Sequence, residues 1–231
     1  MKGGMDLFAG IDVGSSAAKA VVVDGDCNVL AIGTRPSGAY LAEAATGALE
    51  EACNQAGCRR EQIGVICSTG FGRDNVEFAA LKRTEIDCHG RGAFHLYGEA
   101  LTVVDIGGQD NKIIRLDDSG RRLDFTMNRK CAAGTGAFLE EFALRLKVPL
   151  EKLSELAALS SDHDVQIGSF CTVFAMTEVL SRIRAGTRVE DLARAALESV
   201  ARRVLEARRL TGRVVATGGV VAHQPIMKDI L

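Results

Sequence analysis

Hydrophobic and polar positions alternate along the chain in two rounds of one pattern. In the first round, the alternation predicts strands at Leu7–Val13, Lys19–Val23 and Val29–Thr34. A helix is then predicted at Tyr40–Gln55, where apolar residues recur at helical spacing, and another strand at Ile63–Cys67. Three strands, a helix and a further strand are typical of a mixed α/β sheet.

The second round repeats this order in the rest of the chain. Strands are predicted at Leu101–Ile106, Lys112–Leu116 and Leu123–Met127. Four helices follow, predicted at Gly136–Leu146, Leu150–Ala158, Thr172–Ala185 and Val189–Arg209. A strand is then predicted at Arg213–Ala216, and a last helix starts at Pro225. Because repetition of a whole unit constrains a fold strongly, we predict two duplicated α/β lobes, residues 1–99 and 100–231, with a cleft between them.

The first turn, Asp12–Ser16, has the composition of a phosphate-binding loop. Gly14 has no Cβ, so backbone amides can approach phosphate oxygens closely. Ser15 and Ser16 add hydroxyl donors, and Lys19 adds a positive charge nearby. We therefore predict that this turn binds a nucleotide.

The second round carries a matching turn. Asp105 ends its strand as Asp12 does, and Gly107, Gly108 and Gln109 follow it. Facing each other, the two aspartates would hold Mg2+ or orient an attacking water, as phosphoryl transfer requires. We predict that both are catalytic, although a turn aspartate often only hydrogen-bonds its own backbone.

A third glycine turn, Thr217–Val220, follows the last predicted strand and contains Gly218 and Gly219. A two-lobed nucleotide fold needs a flat glycine surface for adenosine, and this turn is the candidate. The chain contains no GxxxxGK[ST] motif and no GxGxxG after a strand, so P-loop and dinucleotide folds are not favoured.

Composition narrows the class of protein. The formal net charge is −2, which favours neither nucleic acid nor an anionic membrane as a partner. No apolar run approaches the length of a bilayer span, and no signal peptide is visible, so a cytoplasmic location is expected. The seven cysteines include no CxxC pair, so free thiols or metal ligands are expected.

Taken together, the turns Gly10–Ser16, Asp105–Asp110 and Thr217–Val220 resemble those of the acetate and sugar kinase, chaperone and actin superfamily. Two further segments, Asn128–Gly136 (NRKCAAGTG) and Phe170–Phe174 (FCTVF), resemble the ATPase family that activates 2-hydroxyacyl-CoA dehydratases and serves benzoyl-CoA reductases. The resemblance implies two ribonuclease-H-like, actin-like ATPase lobes around a nucleotide cleft.

The cysteines of these two segments, Cys131 and Cys171, are the specific part of the resemblance. It implies that a homodimer holds one 4Fe–4S cluster on its two-fold axis, with two cysteines from each copy. It also implies that ATP hydrolysis to ADP drives one electron, supplied by a ferredoxin or flavodoxin, to an acyl-CoA dehydratase or reductase. Gly134 and Thr135, in the first segment, are added to the predicted nucleotide-binding residues.

Residue chemistry agrees with this resemblance. A 4Fe–4S cubane takes four thiolates, and two cysteines per chain on a symmetric dimer supply that number. Both cysteines come just before a predicted helix, whose amino end favours thiolates and an anionic cluster.

The family continues beyond the adenosine turn with a further strand and helix, so we expect the last lobe to be shortened here.

Two other functions remain open at this stage. The chain would be a sugar or carboxylate kinase of the same fold if a substrate pocket and another catalytic aspartate were present. It would be a non-enzymatic nucleotide sensor if Cys131 and Cys171 were redox thiols. Iron and sulfide content separates both alternatives from a cluster protein.

Overall fold

Two separate sheets, one in each half of the chain, form the framework of the fold. The computed structural model describes residues 6–128 and 131–231. It divides the chain into two units, residues 1–89 and 90–231. The boundary between these units falls inside the helix at Glu85–Tyr97. The predicted lobes, 1–99 and 100–231, have their boundary just after that helix, and this boundary stays a prediction.

Unit 1 contains a five-stranded sheet of order β3-β2-β1-β4-β5. Its elements are β1 (Leu7–Val13), β2 (Ala17–Val23), β3 (Val29–Pro36), α1 (Leu41–Ala56), β4 (Ile63–Thr69), β5 (Leu81–Lys82) and the start of α2 (Glu85–Tyr97). Strand β1 is central, antiparallel to β2 and parallel to β4. Its alternate residues, among them the fully buried Ile11 and Val13, face the core, which the period of two had predicted.

Helix α1 lies directly on this sheet at Gly33 in β3. A Cβ atom at that position would lie 2.0 Å from the carbonyl oxygen of Ala48 and 2.7 Å from the amide nitrogen of Ala52. No side chain fits there, because helix backbone occupies the space. Ala48, Leu49 and Ala52 are almost fully buried in the resulting core.

Unit 2 has a four-stranded sheet of order β8-β7-β6-β9, with the same arrangement around its central strand. Strand β6 is antiparallel to β7 and parallel to β9, as β1 is to β2 and β4. The elements are β6 (Leu101–Ile106), β7 (Asn111–Leu116), β8 (Arg122–Asn128), α3 (Gly136–Leu146), α4 (Leu153–Ala158), α5 (Thr172–Arg184), α6 (Val189–Ala207), β9 (Val214–Thr217), α7 (Gly219–His223) and α8 (Met227–Ile230). The predicted duplication is therefore confirmed in strand order and direction.

Most predicted elements lie within a few residues of the observed ones, and the exceptions have local causes. The helix predicted at Leu150–Ala158 begins with a 3-10 turn, Leu150–Lys152, before α4, and Pro149 is the N-cap residue of that turn. Instead of one last helix from Pro225, two short helices flank that proline, which donates no backbone hydrogen bond. The two-residue strand β5 was not predicted.

None of the helices in the described ranges is both long and apolar enough to cross a membrane.

The close approach at Gly33 generates a stability prediction. Gly33→Ala should lower the free energy of unfolding by about 3 kcal/mol, because the new methyl group pushes α1 off the sheet. Gly47→Ala on α1 is the matched control, since a Cβ atom at this position would lie 3.5 Å from Cγ of Arg35, an ordinary packing distance. This control should be neutral or stabilising by up to about 1 kcal/mol. Urea unfolding measures both, and equal stabilities would contradict the prediction.

Candidate functional site

The first turn joins β1 to β2 and carries an aspartate–lysine pair. Asp12 and Lys19 are register partners on the two strands, and their side chains are 3.3 Å apart. The amide of Gly14 closes the turn by donating to the carbonyl of Ala17 at 3.1 Å. Both charged side chains are about half exposed (42% and 50%), so this pair faces solvent. The half-buried Ser15 and the exposed Ser16 lie in the turn between them.

The second turn, between β6 and β7, repeats this geometry in a buried setting. Asp105 and Lys112 are register partners, again 3.3 Å apart, but their side chains are only 11% and 8% exposed. A second carboxylate, Asp110, lies 2.5 Å from the same ammonium group. The amide of Gly107 closes the turn by donating to the carbonyl of Asp110 at 2.9 Å. Gln109 is exposed at the tip of the turn.

Lys112 was not among the residues singled out from the sequence, where only Lys19 was considered. Burial pushes the pKa of Lys112 down, but Asp105 and Asp110 push it further up, so the pKa lies above its ordinary value. Lys112 therefore stays charged at physiological pH. The matching positions of the two Asp–Lys pairs, seven residues apart in each half, were the available signal.

Each turn aspartate packs against a glycine at the end of the neighbouring parallel strand. A Cβ at Gly218 would lie 2.4 Å from Oδ1 of Asp105, and one at Gly70 would lie 2.4 Å from Oδ1 of Asp12. Both glycines have positive φ, +94° and +87°, which glycine adopts without strain. The predicted adenosine turn thus has a counterpart in unit 1 at Gly70.

A cavity of about 250 Å³ lies beside the predicted adenosine turn, within unit 2. Its lining residues are Ala216, Thr217, Gly218, Val221, Ala222, Pro225 and Lys228. The side of Gly219 is open, since no atom lies within 4 Å of where its Cβ would stand. The turn therefore borders a space lined mostly by small or apolar residues, with Lys228 as the charged one.

Gly134 and Thr135 lie against the second turn. The side-chain amide nitrogen of Asn111 donates to the carbonyl of Gly134 at 2.6 Å. The fully buried Thr135 hydroxyl donates to the carbonyl of Ala132 at 2.6 Å, closing the loop before α3. Arg129 and Lys130, also part of the recognised segment, lie outside the described residues.

Cys131 and Cys171, far apart in the sequence, lie on adjoining segments. The thiol of Cys131 is 3.8 Å from the carbonyl oxygen of Phe170, the residue that precedes Cys171. Cys171 is the N-cap residue of α5, and its carbonyl accepts from the amide of Ala175 at 2.9 Å. Both cysteines are half-buried.

The other cysteines have different surroundings. Burial, together with the neighbouring Cys58, raises the pKa of the Cys53 thiol to about 11. Burial, followed by the charge of the neighbouring Cys88, also raises the pKa of Cys67. Cys27 is exposed in a hairpin of unit 1. Cys53 and Cys67 are therefore poorly reactive thiols at physiological pH.

Chemically, these groups offer two kinds of ligand. Asp12 and Asp105 supply carboxylate oxygens, the donors that Mg2+ prefers. Cys131 and Cys171 supply two thiols beside the amino end of a helix of 13 residues. Within the described parts of the chain, no three histidine, cysteine or acidic side chains cluster as a metal site. Two thiols per chain suit a centre completed by a second copy.

The difference in burial between the two Asp–Lys pairs generates a stability prediction. Lys112→Met should cost about 3 kcal/mol of unfolding free energy, because it removes the buried ammonium group that both carboxylates contact. Lys19→Met removes the exposed partner of Asp12 and should cost less than about 1 kcal/mol. Adding Asp105→Asn to Lys112→Met should restore part of the loss. Thermal or urea unfolding of the wild type and the three variants measures these losses, and equal losses for the two lysines would contradict the prediction.

Comparison with known proteins places these features in context. A model of the BadF/BadG/BcrA/BcrD ATPase family matches residues 9–231. The activator of lactoyl-CoA dehydratase from Anaerotignum propionicum is 39% identical over 229 residues, covering 96% of this chain and 86% of that protein.

Two solved structures share the fold. Component A of (R)-2-hydroxyglutaryl-CoA dehydratase from Acidaminococcus fermentans matches with a TM-score of 0.92 at 36% identity, over 98% of this chain and 87% of that one. The activator of 2-hydroxyisocaproyl-CoA dehydratase from Clostridium difficile, solved with bound ADPNP, matches with a TM-score of 0.88 at 35% identity, over 97% and 84%. These matches confirm the predicted fold of two ribonuclease-H-like lobes. The chain belongs to the BadF/BadG/BcrA/BcrD ATPase family.

Proposed function

We propose that this chain is an ATP-hydrolysing activator that passes one electron at low potential to a 2-hydroxyacyl-CoA dehydratase or benzoyl-CoA reductase type of enzyme. Membership of an ATPase family and relatives named as dehydratase activators support the proposal. The observation that carries it is the contact of the Cys131 thiol with the carbonyl of Phe170, the residue before Cys171 at the amino end of α5. A kinase of this fold has no need for such a pair.

The nucleotide part of the proposal assigns phosphate binding to the two turns. Asp12 and Asp105 would hold Mg2+ or orient the attacking water, with the ion pair to Lys112 holding the Asp105 side chain in place. Bound Mg2+ would supply positive charge to the phosphate oxygens. The residues proposed to contact ATP and ADP are Gly14, Ser15, Ser16, Lys19, Gly107, Gly108, Gln109, Gly134, Thr135, Gly218 and Gly219.

The electron-transfer part assigns a 4Fe–4S cluster to Cys131 and Cys171 of two copies. The fit rests on the donor set, since one chain offers two cysteines on adjoining segments and a cubane needs four thiolates. When bound, the cluster supplies one-electron carriage. The amino end of α5 lowers the cost of holding thiolates there.

Exposed apolar side chains support a homodimer around these cysteines. Phe170, Val173 and Phe174 are 80%, 71% and 77% exposed, and all three flank Cys171. Large apolar side chains grouped in this way are typical of protein interfaces. A second copy that completes the ligand set would also cover them. A ferredoxin or flavodoxin as the electron donor, and a cytoplasmic location, complete the proposal.

The proposed catalytic pair can be tested by substitution. Asp12→Asn and Asp105→Asn should each reduce the kcat of ATP hydrolysis at least tenfold, about 1.4 kcal/mol in the barrier. Asparagine keeps the size of the side chain but removes the charge that Mg2+ or an attacking water requires. Asp26→Asn, at an exposed hairpin position in unit 1, is the control. Turnover at the wild-type rate in both variants, with saturating Mg-ATP, would refute the assignment.

The proposed cluster can be tested by counting iron. After anaerobic purification, the wild-type chain should contain about two iron atoms, since one cubane serves two copies. Cys131→Ser and Cys171→Ser should each abolish the cluster, because each removes two of its four ligands from the dimer. Cys27→Ser and Cys53→Ser should leave the iron content unchanged.

Two results would contradict the cluster assignment. Four iron atoms per chain, or a full cluster in Cys131→Ser, would place the ligands elsewhere. A colourless, iron-free protein whose two thiols oxidise reversibly would favour the nucleotide sensor instead.

A further inference from the structure

The second turn is tied by three hydrogen bonds to the segment that follows Cys131. The amides of Gly136 and Ala137, at the start of α3, donate to the carbonyls of Gly107 and Gly108 at 2.9 and 2.7 Å. The third bond is the 2.6 Å contact from Asn111 to Gly134. The turn itself therefore caps α3 and is hydrogen-bonded directly to this segment.

Asn111 is the side chain in this set of bonds. It is the first residue of β7, directly after the turn, and is only 7% exposed. Its amide nitrogen donates to Gly134, whereas its Oδ1 is buried and accepts no hydrogen bond among the residues that the structure describes. A buried carbonyl without a partner costs stability, so packing alone does not favour an asparagine here.

Asn111 also connects to Cys131 from the other side. Its register partner on β8 is Asn128, whose side-chain nitrogen lies 3.5 Å from the carbonyl oxygen of Cys131. Both asparagines line a cavity of about 230 Å³ within unit 2, together with Arg203.

The contacts continue from Gly134 to Cys171. Gly134 has a φ of +80°, and a Cβ there would lie 2.6 Å from Cβ of Arg203 on α6. The guanidinium of Arg203 lies 5.5 Å from the ring centre of Phe170. Phe170 in turn precedes Cys171 and contacts Cys131 through its carbonyl. A continuous series of contacts therefore runs from the second turn to both cysteines.

We propose that Asn111 is a positioning residue that couples nucleotide binding at the second turn to the exposure of Cys131 and Cys171. Phosphate binding shifts residues 107–110, Asn111 moves with them, and the carbonyl of Gly134 follows its donor. Arg203 and Phe170 then change how far the two thiols are covered. This inference rests on the proposed nucleotide site but does not require that the cluster exists.

Thiol alkylation in the metal-free, full-length protein tests the coupling directly. The rate of N-ethylmaleimide addition to each cysteine is measured by peptide mass spectrometry with no nucleotide, with ADP and with a non-hydrolysable ATP analogue. In the wild type, the rates at Cys131 and Cys171 should differ at least about fivefold between nucleotide states. The exposed Cys27 in unit 1 is the internal control and should react at one rate throughout.

Asn111→Leu and Asn111→Asp should both reduce this nucleotide dependence to less than about twofold, the level of negligible coupling. Leucine removes the amide, and a carboxylate cannot donate to Gly134. Asn54→Leu, at an exposed position on α1, is the matched control and should keep the wild-type dependence. The readout is the ratio of the alkylation rates between nucleotide states. A loss of packing alone would change the rates in every state and would not remove this ratio.

Arg203→Ala provides a test that is independent of Asn111. It leaves the bond to Gly134 in place and should reduce the nucleotide dependence at Cys171 more than at Cys131. If Asn111→Leu does not fold, Asn111→Asp and Arg203→Ala decide the matter.

Binding of the nucleotide analogue, measured by calorimetry in every variant, separates the two proposals. If the wild type does not bind it, the proposed function fails and the coupling fails with it. If the wild type binds it but the alkylation rates do not change, or if both Asn111 variants keep the wild-type ratio, the coupling alone is overturned.

Discussion

The buried Asp105–Lys112 pair is the interaction on which the geometry of unit 2 depends. An ammonium group that is withdrawn from water must be matched by charge, and here two carboxylates match it, from Asp105 and Asp110. Asp105 also packs against the backbone of Gly218. The ends of β6 and β9 and the start of β7 are therefore held at one place, beside the proposed phosphate and adenosine turns.

Unit 1 repeats this arrangement with a weaker version of the same contact. Asp12 and Lys19 occupy the same register positions, and Gly70 packs on Asp12 as Gly218 packs on Asp105. Because the pair is exposed, solvent screens it, and it adds little to stability. The two halves thus share one framework geometry. Because the pair in unit 2 is buried, it has the larger effect on stability.

The halves also differ in what lies between their third and fourth long strands. Among the residues that the structure describes, unit 1 has one α-helix there, α1, whereas unit 2 has four, α3 to α6. The two cysteines belong to this additional material, before α3 and at the start of α5. The second turn, which is proposed to bind phosphate, accepts hydrogen bonds from the start of α3. It is therefore bonded to the helix that directly follows the segment of Cys131, which is proposed to hold a cluster.

By itself, the sequence determined most strands and helices, the duplication and the two Asp–Gly turns, because period and turn chemistry are local properties. The resemblance of the segments around Cys131 and Cys171 added the family. Only the tertiary structure decided that Lys112 is the buried lysine, that Gly70 matches Gly218, and that Asn111 reaches Gly134. Each of these depends on which distant segments become neighbours, and a residue's burial or partner is set by that packing rather than by its own pattern.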